Sequence, residues 1–110
     1  MISIVEIPMF SRRIEGVMTP DELTAFKDFI ARNPRVGDMI RGTGGLRKVR
    51  WQSQGGGKSG GARIIYYFHS DDIPLFLITA YRKVDKGRLA KAERNELRGL
   101  GKQLADYYGK

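Results

Sequence analysis

From Leu46 to Gln52 the side chains alternate, with Val49 and Trp51 on one side and Lys48 and Arg50 on the other. A period of two fits a strand and not a helix. Two more β-branched and aromatic runs follow, Arg63 to Phe68 and Leu75 to Tyr81. The first gap, Gln54 to Gly61, is polar and dense in glycine, and the second carries Ser70, Asp71 and Asp72. Both are turn chemistry. Three runs joined this way pair as an antiparallel meander. Arg63, Ile65 and Tyr67 then share one side of their strand, and Thr79, Tyr81 and Lys83 share one side of the next.

The flanks supply helices. Ile2, Ile4 and Ile7 lie in a short strand-like run closed by Pro8. Thr19, Pro20 and Glu22 form a helix start, with Thr19 as cap, Pro20 at the first helical position and Glu22 completing a capping box. Leu23, Phe26 and Ile30 follow at helical spacing until Asn33 and Pro34 stop the helix. Val36 to Gly45 reads as a loop or short turn. Leu89, Leu97, Leu100, Leu104 and Tyr108 predict a C-terminal amphipathic helix, weakened by Gly99 and Gly101. Strand, helix, three strands and helix make an α+β fold. The expected form is a small antiparallel sheet with helices packed on one face, leaving Lys48 and Arg50 open to solvent on the other.

The 110 residues suffice for one core and not two, so a single domain spanning 1–110 is expected. Hydrophobic residues at 41% are enough to build that core. The formal charge of +8 has the sign and size that attract polyanions, nucleic acid first and an acidic protein second. Zero Cys removes disulfides, thiolate chemistry and Cys-based zinc sites. Neither a leader pattern nor a membrane-length apolar run is visible, and the expected location is cytoplasmic, without a membrane partner.

Lys48, Arg50, Lys58, Arg63, Arg82, Lys83 and Lys86 cluster between Leu46 and Lys86, in a stretch with one His, no Glu and no Cys. Gly57, Lys58 and Ser59 mimic the end of a phosphate-binding P-loop, but Gln52 stands where its leading glycine belongs. Gly55, Gly57 and Gly60 match the dinucleotide fingerprint, but a strand and not a helix follows. With His69 the only histidine, no paired-histidine metal site can be assembled, and Asp71 and Asp72 read as turn residues. No metal and no small-molecule cofactor is expected. The residues leave two readings of the cationic face: a solvated surface that keeps the sheet soluble, or an RNA cleft with cations on the backbone and bases stacked on Tyr67 or Tyr81.

The run Gly44 to Tyr67, "GGLRKVRWQSQGGGKSGGARIIYY", with "LFLITAYRKVDKGRL" from Leu75 to Leu89, resembles the RelE/HigB family of type II toxins, and most closely its HigB branch. The similarity covers roughly Gly37 to Leu89. It implies a RelE-like α+β fold and a metal-independent endoribonuclease that cuts mRNA, commonly on the ribosome, and so inhibits translation. It implies a cognate antitoxin, of helix-turn-helix HigA-like type, as partner beside mRNA and ribosome. The family's cations fall on Lys48, Arg50, Arg63 and Lys83, with Lys86 further along as a fifth catalytic candidate. Lys58, Tyr81, Tyr67, Arg47 and Arg82 are the RNA-binding candidates. The chain departs at Leu89, where some relatives carry a catalytic tyrosine, and at Val84 and Arg88, where close relatives tend to have Asn and Asp. A noncatalytic RNA- or ribosome-binding protein, a degenerate toxin, is therefore the alternative. A sequence-specific DNA reader is weaker still, since no basic recognition helix is visible.

Overall fold

The computed structural model describes residues 2–51, 61–82 and 91–108. Its elements in chain order are β1 (Ile4–Glu6), α1 (Pro8–Ile14), α2 (Pro20–Arg32), β2 (Asp38–Met39), β3 (Leu46–Trp51), β4 (Ala62–Tyr67), β5 (Leu75–Arg82) and α3 (Lys91–Tyr108). The strands form one sheet in the order β1-β5-β4-β3-β2. The meander β3-β4-β5 is antiparallel as expected, and the fold is α+β. The sheet is nevertheless mixed, because β1 runs parallel to β5. Parallel pairing needs a long crossover, and almost the whole domain lies between these two strands.

Local chemistry explains the helix boundaries. The Thr19 hydroxyl accepts from the Glu22 amide at 3.2 Å, and the Glu22 carboxylate accepts from the Thr19 amide at 3.0 Å. Pro8 closes the β-branched run and also opens α1 at its first turn, a short helix that the apolar pattern does not announce. The segment read as a loop from Val36 to Gly45 contains β2, which pairs with β3 through Asp38–Lys48 and Met39–Arg47.

The expectation that helices cover one face only does not hold. Ile64 and Tyr66 of β4 pack with Phe10, Ile14, Phe26 and Ile30 of α1 and α2. Ile65 and Tyr67, on the opposite side of the same strand, pack with Leu46 and the α3 residues Leu97, Leu100, Leu104 and Tyr108. The sheet is thus a central layer. The reason is the continuous apolar run Ile64 to Phe68, which needs cover on both sides. Each large side chain buried there contributes roughly 1.5–3 kcal/mol.

Gly101, read from sequence as a helix-weakening residue, is required by α3's position. A Cβ built there would stand 1.8 Å from the Thr43 carbonyl oxygen, and one at Gly44 would stand 2.9 Å from the Gly101 carbonyl oxygen. The helix backbone rests directly on the Thr43–Gly44 loop. That loop is held in turn by the Thr43 hydroxyl, which donates to the Ile40 carbonyl at 2.6 Å and accepts from the Leu46 amide at 3.1 Å. Among the described residues no helix is long and apolar enough to cross a membrane.

Candidate nucleic-acid interface

Strand register decides which side chains meet. Arg50 stands opposite Arg63, and Arg63 opposite Tyr81, so the three form one row across β3, β4 and β5. Lys48, Ile65 and Thr79 form the next row, and Leu46, Tyr67 and Phe76 the third. Residues directly opposite lie on the same face. This face therefore grades from two arginines and a tyrosine at one end to fully apolar at the other. The helix α3 lies over the apolar end, where Tyr108 packs on Phe76 with ring centroids 5.7 Å apart.

The expected site residues divide accordingly. Arg50 is exposed and Lys48 and Arg63 are half-buried, all on the α3 side of the sheet. Tyr81 joins them with only 9% of its surface exposed. Burial holds its phenol above the ordinary tyrosine range, with the Arg63 charge pulling the other way. Like any tyrosine it is a neutral hydrogen-bond donor at physiological pH. Tyr67 is 2% exposed beneath α3, so it is a core residue and not a stacking platform. Burial raises its pKa as well, and Tyr108 adds to the shift.

Arg47 lies on the opposite face, and its guanidinium is committed to backbone. It donates through Nη1 to the Gly37 carbonyl at 2.8 Å and the Arg35 carbonyl at 3.2 Å. The same loop is pinned by Tyr66, whose hydroxyl donates to the Pro34 carbonyl at 2.8 Å and accepts from the Gly37 amide at 2.9 Å. Arg82 stands in the row of Trp51 and Ala62, also away from the Arg50–Arg63 side. Lys58, Lys83 and Lys86 lie outside the described residues.

Sequence reasoning missed three cations that the fold brings to the same face. A cavity of about 240 Å³ opens between the sheet and α3, lined by Arg41, Lys48, Arg94 and Arg98 together with Leu46, Ile65, Tyr81 and Leu97. The signal was present: Arg94, Leu97, Arg98 and Gly101 recur at helical spacing, which sets both arginines beside the apolar stripe. Asp38 is opposite Lys48 on the neighbouring strand. Even so, among the described residues none of Arg41, Lys48, Arg50 and Arg94 has a carboxylate in ion-pair range. The described residues hold no group of three or more His, Cys, Asp or Glu placed to bind a metal ion. No protein-family model matches the chain.

Proposed function

We propose that the protein is a RelE/HigB-like toxin that cleaves mRNA without a metal ion, acting with the ribosome, and that it is neutralised by a cognate antitoxin. The row Arg50–Arg63–Tyr81 carries this reading. Two guanidinium groups directly opposite each other on adjacent strands present converging charge-assisted donors to an anion lying between them. Phosphate is the anion that matches a planar guanidinium fork.

Cleavage requires the ribose 2′-oxygen to attack the adjacent phosphorus in line, forming that P–O bond while the bond to the departing 5′-oxygen breaks. The attacking hydroxyl gives up a proton, and the leaving oxygen takes one. Arg50 and Arg63 hold the phosphoryl oxygens as charge accumulates on them. Tyr81, a neutral phenol, offers its hydroxyl as a hydrogen-bond donor from the same row. Lys83 and Lys86 are the proton-transfer candidates by resemblance, and Lys48 stands one row behind the arginines. The antitoxin reading rests on the resemblance to the RelE/HigB family, and the +8 charge favours fast association with an acidic partner.

The test is to induce the protein alone in a bacterial host and map transcript 5′ ends. Growth arrest with new internal 5′ ends is expected, and Arg63→Ala should abolish both. Normal growth with intact transcripts, from soluble folded protein, would reject the nuclease. The departure at Leu89 favours a noncatalytic RNA- or ribosome-binding protein as the second reading. Ribosome or RNA capture without cleavage is its expected outcome.

A further inference from the structure

The cavity beneath α3 is a different kind of place from the arginine row beside it. Its floor is apolar and aromatic, formed by Ile65, Tyr81 and Leu97, and its rim is cationic, with Arg94 and Arg98 on the helix side facing Lys48 on the sheet side. At about 240 Å³ it falls below the roughly 300–1,000 Å³ of pockets for drug-sized ligands, a size suited to one planar ring. We propose that this cleft seats a single unstacked nucleotide of the bound RNA, its base against Ile65, Tyr81 and Leu97 and its phosphate on Arg94 and Arg98. The inference rests on the reading of the cationic face as an RNA surface, and it adds α3 as the second wall of that surface.

Three observations make the cleft a built feature. The Gly101 backbone contact with Thr43 fixes how closely α3 approaches the sheet, so the space is preformed. The charged wall is exposed: Arg94 and Arg98 are both solvent-accessible, while Leu97 between them is buried. The contact of Arg98 Nη1 with Asn95 Oδ1, at 3.4 Å, is long enough to yield to a phosphate. An apolar slot bordered by guanidinium forks binds a base by its face and its backbone by charge, which is how single-stranded RNA is held.

Single-stranded oligonucleotides with 2′-O-methyl ribose separate binding from cleavage, because the attacking hydroxyl is blocked. Fluorescence anisotropy would compare a strand carrying all its bases, the same backbone fully abasic, and the abasic backbone with one base restored. One restored base should recover about tenfold in affinity, and further bases should add less. Arg94→Ala with Arg98→Ala, both on exposed positions, should weaken every strand. It should also lower the slope of log affinity against log salt by about 0.7 for each arginine. Equal affinity of base-bearing and abasic strands would overturn the nucleotide pocket and leave a phosphate or acidic-partner surface. An unchanged salt slope in the double variant would overturn the role of α3. A protein that shows the single-base gain but never cuts mRNA rejects the nuclease and keeps the pocket, whereas cutting with no base dependence does the reverse.

Discussion

The two faces of the sheet use the same residue types for opposite purposes. On the side of α1 and α2, Arg47 and Tyr66 hydrogen-bond to the backbone of residues 34–37, and Tyr66 packs in the apolar cluster beneath those helices. On the side of α3, Arg50 and Arg63 stand opposite each other and Tyr81 borders a cavity. Residue type alone therefore does not mark a binding arginine. Arg47 and Lys48 are neighbours in sequence, yet strand alternation sends one into the scaffold and its neighbour to the cleft. The contrast predicts that stability and activity separate by face.

The largest effect belongs to the scaffold. Phe26 is fully buried and packs edge-on against Trp51, so Phe26→Ala should lower unfolding free energy by about 3–5 kcal/mol in urea melts. Arg50→Ala, exposed on the other face, should move the same melt by less than about 0.5 kcal/mol. Next comes the site. Arg63→Ala should slow single-turnover cleavage by about a hundredfold while costing far less in the melt than Phe26→Ala. Arg63→Lys should recover little, since a point charge does not replace a two-pronged donor. Arg47→Ala should do the converse, losing stability but not cleavage per folded molecule.

Smaller effects sharpen the division. Gly101→Ala drives a methyl into the Thr43 carbonyl and should cost about 1–3 kcal/mol as α3 is pushed outward. Tyr66→Phe removes the hydroxyl from two buried backbone groups, for a similar loss. Burial raises the pKa of Tyr66, Tyr67 and Tyr81 in the folded state. The stability tied to these neutral phenols is complete below the unfolded value of about 10 and is lost as pH rises through the higher folded values. Alkaline melts should therefore weaken steeply, and less so in Tyr66→Phe. The smallest effect is at the acid end. The Lys27 ammonium bonded to Glu6 depresses that carboxyl's pKa, so its contribution is present above the unfolded value near 4.3 and lost as pH falls through the folded one. Glu6→Gln should flatten acid melts by under about 1 kcal/mol.

Much of this arrangement was legible in the sequence. The period of two groups Lys48 with Arg50, Arg63 with Ile65 and Tyr67, and Thr79 with Tyr81, and the strand register then sets Arg63 opposite Arg50. The capping box at Thr19 and the turn at Ser70–Asp72 were readable because each is local chemistry. The second buried face was also written in the chain, since Ile64 to Phe68 shows no alternation. Its meaning depended on where α3 docks. Periodicity gives α3 an apolar stripe, but only the contact of Gly101 with Thr43 fixes its place, and that contact joins residues far apart in sequence. For the same reason helical spacing sets Arg94 and Arg98 beside the apolar stripe without showing that the stripe faces the cationic strands, and strand alternation alone does not show that α3 covers Tyr67. Arg47 carries the same charge as Arg50, but strand alternation turns it to the other face.

One strand carries the decisive comparison, because Ile64 and Ile65 lie side by side in β4 on opposite faces. Methyl-labelled protein titrated with a non-cleavable single-stranded RNA would report both faces at once. The resonances of Ile65 and Leu97 should shift with RNA, while those of Ile64 and Ile30, under α1 and α2, stay in place. Shifts confined to Ile64 and Ile30, or none at either face on saturation, would contradict the assignment of RNA to the face beneath α3.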